Sequence, residues 1–462
     1  MDRKQHRIRL LILLGLLALG VLLTVTAWAD PGGVPTAIPR KLTAASSDVG
    51  LLPRLQALLG LVVMIGACWY CRERRPNQVF PWRVVAAGVT LQVLFAVLIL
   101  KMAYARTLFA AVNDAFIALM NFSNEGARFL FGDLISGTAL IAFSVLPTII
   151  FFSSLMTIGY HTGIMVHVVR FFARFMARFM GTSGAESLST VGNIFLGQTE
   201  APLMVRPFLP RMTRSELHCI MVGGFGTVAG GVMAAYVGML HKHFPDIAGH
   251  LLAASIMAAP ATVLVAKLLV PESEVPETGP DAKIEVPKLH QNILDAAAAG
   301  ASEGMALALN VGAMLIAFVA LVALANAGLA GLLGLVGIEG ITFQRLFGWA
   351  LAPVAWLIGI DKSESVQVGS LLGVKIVLNE FVAYLDLAKN LGTAETLSPR
   401  ATTITAYALC GFANFSSIAI QIGGVAAMAP ERRKDLATLG FRAMLGGSVV
   451  GYMTGALAGL FV

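Results

Sequence analysis

Runs of about 20 apolar residues recur along the chain, each long enough to carry an α-helix across ~30 Å of hydrocarbon. They lie near residues 53–71, 83–100, 138–159, 216–240, 250–270, 303–326, 401–425 and 437–460. Lipid offers no partner for a backbone N–H or C=O, so a segment of this length satisfies its own polar groups only as a helix. Charge is correspondingly scarce. Asp, Glu, Lys and Arg make up 13% of the 462 residues and hydrophobic residues 57%, where a soluble domain carries about 25% charge. The expected fold class is an all-α polytopic membrane protein with about eight transmembrane helices.

The net charge of +7 sits in short loops, among them Arg72, Arg74 and Arg75, and Arg432, Arg433 and Lys434. Cations so placed mark the cytoplasmic side of a membrane. No basic region stands apart from the spans, which argues against nucleic acid as a partner. Residues 1–29 run basic, then apolar, then Ala27-Trp28-Ala29. That is the order of a cleavable signal peptide, with an uncleaved N-terminal anchor as the rival reading. Residues 30–52, rich in Pro, Gly, Ser and Thr, form a periplasmic linker. With residue 30 outside, the first span runs inward and ends at the basic flank Arg72 to Arg75. By the same count the loops 271–290 and 430–435 fall inside, and the second carries Arg432, Arg433 and Lys434.

Two regions are too polar to cross lipid alone. Residues 165–214 open with Arg170, Arg174 and Arg178 at four-residue spacing among Phe and Met, an amphipathic helix suited to the interface. Next comes a weakly apolar stretch from Ser183 to Arg211, interrupted by Gly197 and Pro202. Residues 362–400 are similar, with a break near Asn379 and Glu380. Irregular backbone is tolerated at membrane depth only where protein buries it or it lines a wet cavity, so both stretches read as re-entrant hairpins.

The span after each hairpin carries the same pattern. Gly224-Phe225-Gly226-Thr227-Val228-Ala229-Gly230 comes after the first, and Gly411-Phe412-Ala413-Asn414-Phe415-Ser416-Ser417 after the second. The order span, amphipathic helix, hairpin, broken span, span thus occurs twice. The span count makes one hairpin cytoplasmic and the other external, so the copies are inverted. Inverted repeats with broken helices are the architecture of secondary transporters, and the breaks locate the substrate site. The expected division is a signal peptide or anchor at 1–29, a linker at 30–52 and N-terminal scaffold helices with an interfacial helix at 53–135. A first transport repeat at 136–270, a cytoplasmic loop at 271–290 and the inverted second repeat at 291–462 complete it.

The breaks are polar in a particular way. Gln198, Thr199 and Glu200 stand at one hairpin tip, Asn379 and Glu380 at the other, with Thr227, Asn414, Ser416 and Ser417 on the broken spans. A carboxylate at membrane depth costs at least ~2.5 kcal/mol. Interhelical glue accounts for Ser, Thr and Asn but not for two acids in mirrored places; a ligand rich in hydroxyls does. Other candidates have plainer readings. Cys68 and Cys71, spaced as CxxC, lack a redox context, and all four cysteines, these two with Cys219 and Cys410, read as small buried residues. His241 and His243 form a solvated pair in a short loop, and His161 and His167 flank interfacial segments. Gly447, Gly451, Gly455 and Gly459 form a small-residue packing face.

Gly197-Gln198-Thr199-Glu200-Ala201-Pro202-Leu203, the run Gly373 to Tyr384, and Cys410 to Ser417 resemble three signatures of the concentrative nucleoside transporter family, in order. The likeness runs from roughly residue 53 to the end. It implies a multi-pass protein of a bacterial inner membrane, a homotrimer whose protomers each hold a scaffold and a moving domain. It also implies that Gln198, Thr199 and Glu200 recognise the nucleobase, partly through water, with Val232 packed on it. Glu380, Asn414 and Ser417 would bind ribose hydroxyls, with Phe412 close by. The family's sodium site maps to Asn193, Thr227 and the backbone carbonyls of Leu196 and Val228. The family pattern has Ser at the position of Thr227 and Val at that of Leu196, and both changes keep the oxygen. Some relatives are proton-coupled, so H⁺ is the alternative coupling ion to Na⁺; no cofactor is implied. A membrane-embedded enzyme would need a nucleophile, metal cluster or phosphate loop beside the two acids. A channel would need a continuous pore instead of broken helices.

Overall fold

The structure, a computed structural model, describes residues 50–74, 79–101, 103–132, 146–280, 282, 284, 286, 289–335, 340–391 and 396–462. The signal or anchor at 1–29, nearly all of the linker at 30–52 and the first part of the span expected at 138–159 lie outside the described residues. Every regular element among the described residues is helical. In chain order these are α1 (Leu51–Tyr70), α2 (Trp82–Leu100), α3 (Ala103–Phe131), α4 (Leu146–His161), α5 (Ile164–Met180) and α6 (Gly184–Gly192). Then come α7 (Arg214–Gly226), α8 (Gly230–Leu240), α9 (Ile247–Leu269), α10 (Ile293–Gly334) and α11 (Phe343–Leu357). The second half closes with α12 (Ser365–Val377), α13 (Glu380–Asn390), α14 (Pro399–Leu409), α15 (Phe415–Met428) and α16 (Arg433–Phe461).

Each expected span has its counterpart. α1, α2, the broken pair α7–α8, α9, α10 and α16 are long and apolar enough to cross a membrane. α4 accounts for the described part of 138–159, and the broken pair α14–α15 for 401–425. α4 and α5 meet at 74°. The corner is Gly163, whose φ of +82° is a left-handed conformation that glycine adopts without a side-chain clash. Beyond it α5 buries Val169, Ala173, Met176 and Met180 while Phe171, Phe175 and Phe179 stay exposed beside its arginines. The amphipathic helix read from the Arg spacing is therefore present.

α10 exceeds its expected span of 303–326, running 42 residues, or about 60 Å and twice the hydrocarbon thickness. The sequence hides its N-terminal turns because Asp295, Ser302 and Glu303 interrupt the apolar run. Two glycines seat it on α4: a Cβ at Gly300 would lie 2.8 Å from the Ser153 carbonyl oxygen, and one at Gly304 2.7 Å from Ile150 Cα. Its outer face leaves Leu309, Ile316 and Leu324 bare.

The first hairpin is α6, an irregular turn, and two 3₁₀ turns at Ala201–Val205 and Leu209–Arg211 in place of a second α-helix. Pro202 and Pro210 lack the N–H that a continuing helix would need. α6 and α7 both start with reciprocal capping boxes, Ser183 with Glu186 and Thr213 with Glu216. Lys267 near the end of α9 ties the two starts together. Its Nζ is 2.8 Å from Glu186, 3.1 Å from Glu272 and 3.0 Å from Ser215 Oγ. The second hairpin is the pair α12–α13, which turns at Leu378 and Asn379.

The loop charges gather at one end. Glu73, after α1, binds Arg214 at the start of α7 at 3.2 Å and Arg442 of α16 at 3.0 Å. Arg211 binds Glu277 at 2.8 Å, and Arg432 binds Asp435 at 2.9 Å. These are the loops that the span count assigned to a single side. At the centre, α16 uses its glycine face as a packing surface, as expected. A Cβ at Gly451 would stand 2.8 Å from the Ala408 carbonyl oxygen of α14, and one at Gly459 2.9 Å from that of Ile358.

Candidate functional site

The two breaks of the inverted repeats face each other. The backbone N–H of Phe412 donates to the carbonyl of Thr227 at 3.3 Å, joining one broken span to the other. A Cβ at Gly411 would stand 2.7 Å from the Phe225 carbonyl oxygen, so glycine permits that approach. The first hairpin joins the same centre, because Gly230 N–H donates to the Phe195 carbonyl at 3.0 Å. Irregular stretches from both repeats therefore converge, and their backbone groups are enclosed by protein and kept from lipid.

On the second-hairpin side, Glu380 is the first residue of α13 and only 5% exposed. Its Oε1 accepts from Tyr236 Oη at 2.8 Å and its Oε2 from Asn414 Nδ2 at 3.0 Å. An ionised carboxylate offers about four lone-pair sites, so two protein donors leave capacity for further hydroxyls. The neighbours are fixed in turn. Asn414 caps α15 by accepting from Ser417 N at 2.9 Å, which sets its amide with the NH₂ toward Glu380. Asn379 caps α13 in the same way through Val382 N at 2.9 Å. Tyr236 stacks on Tyr384 with ring centroids 4.4 Å apart, and Tyr384 Oη donates to the Ala406 carbonyl at 2.6 Å. Val232, one turn before Tyr236 on α8, is buried, and Phe412 is half-buried.

On the first-hairpin side, Thr199 Oγ1 donates to Glu200 Oε1 at 2.8 Å. Thr199 lies against Gly424, and Gln198 and Gln421 both border Gly224. Ser417, Gln421 and Gly424 share one face of α15 at i, i+4 and i+7. That face links Asn414 and Ser417 to the Gln198–Thr199 tip over about seven residues, or about 10 Å, a nucleoside's length. Gln198 Oε1 and Gln421 Oε1 are buried with no hydrogen-bond partner among the described residues.

Asn193 directly succeeds α6 and is completely buried, with neither side-chain atom partnered among the described residues. Gly223 places it near Thr227. A Cβ there would lie 3.0 Å from Asn193 Nδ2, and the Gly223 carbonyl accepts from Thr227 Oγ1 at 2.9 Å. Buried polar atoms are normally satisfied, and an unpartnered amide oxygen beside a hydroxyl and irregular backbone at Leu196 and Val228 suits a hard cation. Thr262 Oγ1 of α9, also unpartnered among the described residues, borders the same glycine turn.

Every residue expected at the site falls on or beside these breaks. The sequence reading missed Tyr236, Gln421 and Thr262, which lie on otherwise regular helical stretches with no break or motif to flag them. The one available signal was a polar side chain within an apolar span.

The chain is similar to known proteins in sequence and in fold. Residues 59–134 and 250–459 match the N- and C-terminal parts of the Na+ dependent nucleoside transporter family, and residues 142–242 match a region described as nucleoside recognition. An uncharacterized transporter of Haemophilus influenzae is 44% identical over 417 residues, covering 88% of this chain and 98% of that one. Sodium/nucleoside cotransporter 1 of the mouse is 39% identical over 397 residues, 83% of this chain and 60% of the mouse protein. A structure of CNTnw in an inward-facing substrate-bound state gives a TM-score of 0.83 at 42% identity, covering 88% of this chain and 98% of that one. A CNTnw variant in an outward-facing state gives 0.82 at 41%, covering 88% and 97%.

Proposed function

The chain belongs to the concentrative nucleoside transporter family, and from that premise we propose that it imports nucleosides across a bacterial inner membrane by alternating access, as a sodium-coupled symporter. Its relatives are transporters, not enzymes. The observation that carries the reading is Glu380, a buried carboxylate held at the meeting point of two broken helices with acceptor capacity to spare. The ribose hydroxyls donate to Glu380 and meet Asn414 and Ser417. The base lies along α15 toward Gln198, Thr199 and Glu200, against Val232 and Phe412. Charge-assisted bonds to an ionised acceptor are the strong kind. Alternating access then moves hairpins and broken helices together past the α4–α10 pair. The bare apolar face of α10 is the surface on which a homotrimer forms. The test of the sugar assignment is competition. 2′,3′-Dideoxyuridine should compete at least about tenfold more weakly than uridine, because each buried polar group left unpaired costs ~1–3 kcal/mol. Equal competition would remove Glu380 from the ribose.

Sodium is supported by the Asn193 amide, unpartnered among the described residues, beside Thr227 and by relatives named for sodium. Thr227→Val keeps the side-chain shape and deletes one oxygen. It should raise the sodium concentration for half-maximal uptake, with nucleoside affinity restored at high sodium, because coupling is reciprocal. If wild-type uptake ignores sodium and tracks the pH gradient, the coupling ion is the proton and Asn193 and Thr227 are interhelical packing groups.

A further inference from the structure

Lys375 stands two residues before the end of α12 and is completely buried. Its Nζ donates to the Ala408 carbonyl at 2.9 Å, one residue from the end of α14. Gly451 makes room for it: a Cβ there would stand 3.2 Å from Nζ. The last carbonyls of a helix lack intrahelical partners and carry the negative end of its dipole, so a donor is needed here. A neutral donor would serve. At the corresponding place in the first repeat, also three residues before the Gly-Phe pair, the Met221 carbonyl accepts from the amide of Gln421 at 3.1 Å. The second break uses a cation where the first uses an amide, although burying an ammonium costs several kcal/mol.

The difference between the two breaks is what lies next to them. Glu380 comes five residues after Lys375 across the turn of the hairpin, and the two side chains hold the same α14–α15 break, Lys375 at the Ala408 carbonyl and Glu380 at Asn414 Nδ2. Tyr236 from α8, Tyr384 from α13, and Cys410 and Asn414 from the break between α14 and α15 also face this region, and none of them is a cation. Without Lys375 the carboxylate would be a buried charge held, among the described residues, by neutral donors alone. We propose that Lys375 is a positioning residue for the sugar half of the site, its ammonium serving as the counter-charge that keeps Glu380 an anionic acceptor while its bond to Ala408 holds the broken helix to the hairpin. This rests on the ribose reading of Glu380.

The test is the ratio of affinities for uridine and 2′,3′-dideoxyuridine, measured by competition in purified wild type, Lys375→Gln and Lys375→Met. Lys375→Gln retains an amide donor for the Ala408 carbonyl, as Gln421 does for Met221, so it removes the charge while keeping a folded break; it decides the question if Lys375→Met fails to fold. In the charge-free variants, uridine affinity should fall about tenfold or more while dideoxyuridine affinity stays near wild type, so the ratio collapses. A second change, Glu380→Gln, should then add much less than it does in the wild type. Equal losses for both ligands would show that Lys375 only holds structure, and an unchanged uridine affinity would show that its charge is not used; either overturns the proposal. A wild type that does not discriminate the two ligands would instead overturn the ribose reading, and this proposal with it.

Discussion

Glu380→Gln should nearly abolish nucleoside uptake, by about a hundredfold or more, and leave the protein folded with an unchanged elution volume. The substitution opens no cavity, since Gln has the volume of Glu. It does remove the charge and turn one acceptor into a donor. Asn414 cannot rotate to compensate, because its Oδ1 is held by Ser417 N and Ser416 Oγ at 2.9 and 2.7 Å. The new NH₂ either faces the Asn414 NH₂ or faces Tyr236 Oη and takes away that hydroxyl's acceptor, and in both cases the sugar loses its charge-assisted partner. Two such losses at ~1.5 kcal/mol each reach the stated factor. Uptake of radiolabelled uridine beside size-exclusion chromatography measures both halves of the expectation. Full uptake would reject the assignment of Glu380.

Lys267→Met should have the largest effect on stability. Lys267 and Glu186 are 5% and 1% exposed at 2.8 Å, and Glu272 and Ser215 complete the cluster. Removing one partner of a buried pair leaves an uncompensated charge, which costs about 3–5 kcal/mol. The loss falls where α6 and α7 begin, so the first hairpin loosens from α9. Thermal unfolding of the purified protein should show a clearly lower midpoint, and the double change with Glu186→Gln should recover part of it. A midpoint equal to wild type would mean that the cluster is solvated and does not anchor the hairpin.

The features legible in the sequence were those with a local cause. Spans arise from apolar runs, α5 from the Arg170, Arg174, Arg178 spacing, and the breaks from Gly, Pro, Asn and Glu where lipid forbids them. The mirrored Gly-Phe runs pointed to the inverted repeat, and with it to the place where Thr227 and Phe412 meet. Features with a distant cause were not legible. Tyr236 matters because it reaches Glu380, 144 residues on, and nothing in the pattern of α8 encodes that. Gln421 is paired to Met221 across 200 residues. The start of α10 was hidden for another reason: its N-terminal turns are held by Gly300 and Gly304 against α4, not by an apolar run. The second limb of the first hairpin has only short 3₁₀ turns because Pro202 and Pro210 interrupt it, which the composition showed but the span count did not use.

The most direct test of the central claim is uptake of radiolabelled uridine into proteoliposomes holding the purified protein, under an imposed inward sodium gradient or an imposed proton gradient. Transient accumulation above the external uridine concentration, driven by the sodium gradient and lost when that gradient is collapsed, is the predicted result. Uridine entry that only equilibrates across the membrane, whichever gradient is imposed, would contradict the account.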